Sequence, residues 1–434
     1  MRGPAPEGPP LPGGRRALTR RILAFAGVPF VSLIAPFLFL PVLARIAGED
    51  AWVAIALGTS AGAFAALVAG LGYPTLAPPQ VAVADAHGRR RYLATSLHAR
   101  LPLWCAAAAV ALLVAVLLAP PSHGVDAGLM ALASSLAGLA PTWHWIGVGR
   151  VAPMLWSEVL PRLAATVAAA GILLAGGPVV WYPALLLAVA ILGPAVVYWL
   201  VAGRELLVVD AAAVGRIYRE HPPAVIAESA AGAYNALAVT FVTAVAPVAA
   251  AASYVSGDRA YRVGQYAVSA LGNALQGWTV EAGAGSVPRR LRVVVALHAG
   301  LGVLGLLAFG LLGPWLTALL FGETVAIDAL TAWGFGVATL GVSLGTAFGR
   351  IGLIVHGARH AFMVCVLIAA GIGVTGLIVG AAIFGAAGAA WGLGIAEACS
   401  AVLQGVVLLV TMRARRASSP EGRADRLEHR KELR

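Results

Sequence analysis

The sequence predicts an all-α polytopic membrane protein, with about twelve transmembrane helices in two pseudo-symmetric six-helix bundles. Three observations carry this. Of 434 residues, 60% are hydrophobic and only 11% charged, which leaves too little charge to cover a soluble domain. The apolar residues gather in runs of about 20, the length that crosses a bilayer as a helix, and short basic turns separate the runs. The third is a weak internal echo. Gly147-Val148-Gly149-Arg150-Val151 has a counterpart in Ala347-Phe348-Gly349-Arg350-Ile351, and Arg89-Arg90 has one in Arg289-Arg290. Barrel strands would instead read as about ten residues of alternating polarity, and that pattern is missing.

Residues 1–21 form a Pro/Gly-rich, basic tail that is expected to be disordered. The first apolar run, 22–44, is longer than a signal-peptide core and has no A-x-A site after it, so it is read as a spanning helix that stays. The further spans are expected at 51–72, 101–119, 126–146, 158–176, 182–202, 223–250, 260–281, 291–313, 326–349, 362–384 and 389–412. The first bundle is then 22–202, a cytoplasmic linker follows at 203–222, the second bundle is 223–412, and a basic tail closes the chain at 413–434. Six spans per half give both halves the same orientation. Transporters place their substrate site at such repeat interfaces.

The net charge of +11 is explained by orientation. Twenty-six basic residues fall in the tails and even-numbered loops, and three (Arg45, Arg259 and Arg262) on the other side; Arg162 stands at a helix start. The positive-inside rule then puts both termini in the cytoplasm, with anionic lipid headgroups as partners and no role for nucleic acid. Cys105, Cys365 and Cys399 are dispersed in apolar runs and suggest neither a disulfide framework nor a metal site.

Catalytic signals are poor. Gly58-Thr59-Ser60-Ala61-Gly62 fits G-x-S-x-G but lies inside a span, where small residues serve helix packing, and there is no P-loop or H-E-x-x-H. The chain is read as a non-enzyme without metal or cofactor. Its polar candidates lie in the membrane. Glu228, Gly232 and Asn235 share one face of the seventh span, so Glu228 either pairs with an interface arginine or binds a proton or cation in the lumen. Arg262, Ser269, Asn273 and Gln276 form a stripe on the eighth, suited to gluing helices or to meeting sugar hydroxyls. Glu397 is either a packing contact or a second lumen carboxylate, and Glu158 and Arg162 are spaced to pair. Arg45 either snorkels or faces the cavity. Pro29, Pro36 and Pro41 in the first span, and Pro247 later, are hinges or static kinks. Trp143, Trp145 and Trp156 are expected at the membrane boundary, with His144 as another interfacial aromatic.

Several stretches resemble the polysaccharide-biosynthesis (Wzx-like) flippase family of the multidrug/oligosaccharidyl-lipid/polysaccharide (MOP) exporter superfamily. They are Ser32 through Arg45 with Gly48 and Trp52, Pro141 through Arg150, and Asn273 through Trp278; the similarity spans roughly 20–412. His144 departs from the commoner Trp-Tyr start. The resemblance implies a MATE/MOP-like fold around a cationic cavity in a bacterial inner membrane. It also implies transfer of a polyprenyl-pyrophosphate-linked oligosaccharide between leaflets. Arginines 45, 150, 259, 262 and 350 would meet pyrophosphate, and Asn235, Asn273 and Gln276 the sugars. Glu228 and Glu397 would carry H⁺ or Na⁺, and glycan polymerase machinery would be a partner. The competing readings are a MATE-like drug/cation antiporter, a glycan polymerase or ligase, and a lipid II flippase. The outer loops are short for a polymerase, and the twelve spans counted are fewer than the fourteen of the lipid II flippase.

Overall fold

A computed structural model describes residues 39–281 and 286–418. All the regular structure among them is helical. The first helix, α1, is described from 39 to 46. It is followed by α2 (Gly48–Ala69), α3 (Tyr73–Val83), α4 (Ala86–Leu118), α5 (Gly124–Ser135) and α6 (Thr142–Val148). Next come α7 (Ala152–Leu174), α8 (Trp181–Ala202), a short α9 (Ala211–Glu220), α10 (Pro222–Val245) and α11 (Val248–Glu281). The chain ends with α12 (Val287–Phe321), α13 (Ala329–Leu353) and α14 (Arg359–Ser418). Eight helical segments among the described residues are long and apolar enough to cross a membrane.

The last of these is two crossings. Gly385 has φ 58° and ψ −136°, a conformation open to glycine alone, and it folds α14 back on itself. A Cβ added to Gly380 would lie 2.2 Å from the Gly388 carbonyl, and one on Gly392 2.3 Å from Gly376. The two limbs are therefore antiparallel and in backbone contact, which only small residues permit. The same device joins α2 to α5. A Cβ on Gly58 or Gly62 would lie 2.3 Å from the carbonyl of Ala127 or Ala131, so this stretch is a packing face.

Three span boundaries differ markedly from expectation. The run read as 223–250 ends at Val245, because Ala246 is extended (φ −103°, ψ 153°), as the residue before a proline tends to be. Pro247 is thus a turn residue between α10 and α11, not a hinge within a helix, and α11 begins twelve residues earlier than expected. The loop expected before span 101–119 is helical too, since α4 starts at Ala86, capped by Asp85 accepting from the Gly88 N–H at 2.8 Å.

The core is shared at one end and divided at the other. Phe39, Leu43, Trp52 and Tyr182 of the first half pack in one cluster with Val242, Tyr254, Phe321 and Leu393 of the second. At the opposite, arginine-rich end the clusters separate. One is built on Tyr73, Leu93, Trp143 and Tyr198, the other on Leu291, Ile351, Leu353 and Leu408. Polar bonds add to the shared end. Trp52 Nε1 donates to the Ala252 carbonyl at 3.1 Å, and Ser60 Oγ to the Ala236 carbonyl at 2.6 Å.

The first divided cluster is organised by a buried cation. Arg100, 1% exposed, donates to the carbonyls of Gly138 (2.9 Å) and Ser96 (3.2 Å) and to the Tyr198 hydroxyl. It also lies over the rings of Tyr73 and Trp143, at 5.1 and 5.5 Å. Trp143 is buried in this core, His144 is buried edge-on to it, and Trp145 is buried in a separate cluster with Met154 and Val197, so none of the three forms a lipid-facing belt. Trp156 is exposed.

Candidate functional site in the second half

The site is built on α11. Asp258, Arg259 and Arg262 lie 10 to 14 residues inside this helix, about 15–20 Å from its start at 1.5 Å per residue. Arg259 and Arg262 therefore lie inside a helix, not in the outer loop to which the basic-residue count had assigned them. Charges at that depth face the bundle interior and find partners. Asp258 is 2% exposed and accepts from Arg262 Nε at 2.7 Å. Arg262 Nη2 donates to the Asn235 carbonyl at 2.8 Å. Arg259 Nε is buried without a hydrogen-bond partner among the described residues. Arg259 and Arg162 both lie close enough to Tyr182 of the first half for their charges to act there.

Beside this cluster is a cavity of ≈ 240 Å³ between α10, α11, α13 and α14. Asn235, Glu397 and Arg350, each singled out in the sequence, line it together with Tyr234, Gln265 and Gln404. The Tyr234 hydroxyl donates to Glu397, which is 7% exposed. Arg350 Nη2 donates to Asn273 Oδ1 at 2.5 Å. Gln404 Nε2 donates to Ser400 at 2.9 Å, while its Oε1 is buried and unpartnered. Arg350 sits in a π-helical stretch, Thr346–Leu353, a departure often found at functional sites. The cavity thus offers one cation, one carboxylate, several amides and an aromatic hydroxyl.

Other candidates lie elsewhere. Arg45 is at the end of α1, where its guanidinium donates to the Leu319 carbonyl in the last turn of α12. It caps a helix C-terminus and ties the two halves together, which makes it a clasp and not a cavity ligand. Arg150 is exposed in the turn after α6, and Gln276 is exposed one turn beyond Asn273. Pro41 lies in α1, whereas Pro29 and Pro36 fall outside the described residues. Glu228 belongs to α10, but its side chain lies outside the described residues. Glu158 does not pair with Arg162. Its carboxylate accepts from the Thr142 hydroxyl at 2.9 Å, across a π-helical turn at Leu155–Val159. The echoed arginines Arg89 and Arg290 both bond helix-end carbonyls, those of Val81 and Trp278.

Sequence reasoning passed over Asp258 and Tyr234. The spacing Asp258-Arg259-Ala260-Tyr261-Arg262 was a legible i, i+4 ion pair, hidden by its placement in a loop. Tyr234 carries no signal short of the fold, because its partner Glu397 is 163 residues away.

No family model matches the chain, and no curated protein does. Solved structures do. An inward-facing multidrug resistance MATE family transporter of the MOP superfamily superposes with a TM-score of 0.61 at 15% identity, covering 90% of this chain and 99% of that one. A eukaryotic MATE transporter superposes with a TM-score of 0.51 at 13% identity, covering 93% and 98%. This chain is a multi-pass membrane protein with the fold of the MATE transporters.

Proposed function

We propose that the chain is an alternating-access transporter that moves a polyprenyl-pyrophosphate-linked oligosaccharide from the inner to the outer leaflet of a bacterial cell membrane. The observation that carries this is the pair of arginines at mid-depth of α11, with a single carboxylate, Asp258, to balance them. Arg259 keeps a buried, unpartnered donor beside the surface shared by the two halves. Guanidinium forks suit phosphate oxygens, and a buried donor without a partner is costly unless a ligand supplies one. The neighbouring cavity, with Asn235, Asn273 and Arg350 at its wall or mouth, suits sugar hydroxyls, while a polyprenyl tail stays in lipid.

The divided core supports a state open toward the arginine-rich end, which the charge pattern assigns to the cytoplasm. Transport then requires the shared end to part and the divided end to close. Glu397, and Glu228 on α10, are the carboxylates that would take up H⁺ or Na⁺ to bias this exchange. Glycan polymerase machinery would receive the product outside.

A second reading, a MATE-like drug/cation antiporter, draws on the fold and on the buried acids Asp258 and Glu397. The two readings differ in the sign of the charge carried. The test is flipping of a fluorescent polyprenyl-pyrophosphate glycan in liposomes by Arg259→Lys, Arg259→Gln and Arg262→Gln. Each lost charge-assisted bond is worth about 1.5–3 kcal/mol, so transport should fall at least about tenfold in all three. Wild-type rates in Arg259→Gln and Arg262→Gln would remove the phosphate site.

A further inference from the structure

We infer that the segment joining the two halves, 203–221, is a membrane-surface strap whose partner is an anionic phospholipid headgroup. After α8 ends at Ala202 the chain does not leave the bilayer surface cleanly. Leu207, Val208 and Val209 are 74, 66 and 63% exposed, three consecutive apolar side chains that none of the described residues covers. They continue the lipid-facing surface of α8, whose last turn exposes Trp199 and Leu200 by 63 and 76%. That continuity identifies what covers the triplet: the lipid that already covers α8.

Charge argues the same. Arg204 precedes the triplet, and Arg216 and Arg219 follow it on the exposed face of α9. The other face of α9 is committed to the protein. Val214 and Ile217 pack on the first half's divided cluster, the Tyr218 hydroxyl donates to the Ala99 carbonyl at 2.6 Å, and Arg91 donates to Asp210 at 2.6 Å. An apolar triplet flanked by exposed arginines at the basic end of a membrane protein has the composition of an interfacial anchor. The segment also carries Glu205, Asp210 and Glu220; with Asp210 neutralised by Arg91, one positive charge remains in excess, worth about fivefold in partitioning to an anionic surface. The strap is therefore bound on one side to the first half and on the other to lipid, and it moves with the first half. His221 Nδ1, bonded to the Leu71 carbonyl at 2.8 Å, marks where that attachment ends and α10 begins.

The inference is independent of what is transported. Its test uses the full chain in nanodiscs of phosphatidylcholine alone or mixed with phosphatidylglycerol, read by amide hydrogen exchange over 203–220 and by a spin label at Val208. Exchange is expected to slow about fivefold with phosphatidylglycerol, an effect abolished by high salt and by the combined R204Q, R216Q and R219Q substitutions, which remove only exposed side chains. The label should meet oxygen more readily than a water-soluble relaxation agent. Equal exchange in both lipids overturns the proposal. So does a label freely reached by the water-soluble agent, which would leave the triplet available to a protein partner instead.

Discussion

Ser60 is the most economical place to perturb the balance between the two halves. It lies on α2, and its hydroxyl donates to the Ala236 carbonyl of α10 at 2.6 Å. It also accepts from the Thr240 hydroxyl at 2.9 Å and from the Thr240 N–H at 3.3 Å. All three bonds cross between halves at the shared end, and Ser60 is 6% exposed, so water does not replace them in the closed state. Ser60→Ala removes them with no change in backbone and almost none in volume. Two good neutral bonds contribute about 0.5–1.5 kcal/mol each, giving about 1–3 kcal/mol together. In the open state Thr240 regains solvent, so this difference appears in the conformational equilibrium, as roughly 5- to 150-fold toward opening of the shared end. Spin labels at Ser122 and Thr324, exposed on the two halves at that end, report it by pulsed dipolar spectroscopy. The long-distance population should rise in Ser60→Ala. An unchanged distribution, in a variant as stable to heat as the parent, would refute the idea that these bonds hold the shared end closed.

Three further outcomes follow from particular contacts. Arg100→Leu strands the buried carbonyl of Gly138, while the Tyr198 hydroxyl keeps its bond to the Leu139 carbonyl at 2.9 Å, and should cost about 1–3 kcal/mol, seen as a lower melting temperature in detergent. Gly385→Ala forces a side chain into a glycine-only conformation at about 1–3 kcal/mol, and should lower thermal stability while leaving Gly388→Ala, a backbone clash, more damaging still. Asp210 is held below the ordinary carboxylate range by the Ala213 N–H and then by Arg91. Because its folded value is depressed, its contribution is fully present above the ordinary range and is lost as pH falls through the folded value. Exchange protection of α9 should thus hold through neutral and mildly acid pH and weaken only as pH falls through the carboxylate range.

The architecture was legible because a membrane imposes it. Length and apolarity are enough to find most of the spans. Where the reading slipped, the cause was local. Pro247 looked like a kink in a long helix, yet it made Ala246 extended and so ended the helix early, which moved Arg259 and Arg262 from a loop to the interior of α11. Trp143 and His144 had the composition of an interfacial belt. Trp143 is buried because Arg100, counted as a loop cation, lies over its ring, and His144 is buried edge-on between Trp143 and Trp145. Arg350 and Asn273 were each singled out, but that they touch depends on how α11 packs against α13, which no periodicity encodes. Arg45 looked the same on paper as a phosphate ligand and as a cap; only the position of Leu319 decides.

The central claim is that the cargo is an anionic, lipid-linked glycan, and the direct measurement is a choice of substrate by one purified preparation. Liposomes holding the reconstituted chain are offered, in parallel, a fluorescent polyprenyl-pyrophosphate oligosaccharide, the same oligosaccharide on an uncharged lipid, and a fluorescent organic cation, each under an imposed proton or sodium gradient. The account predicts translocation of the pyrophosphate-linked glycan alone, in a form that Arg259→Gln abolishes. Gradient-driven movement of the organic cation with no movement of the glycan would contradict it and leave the antiporter reading standing.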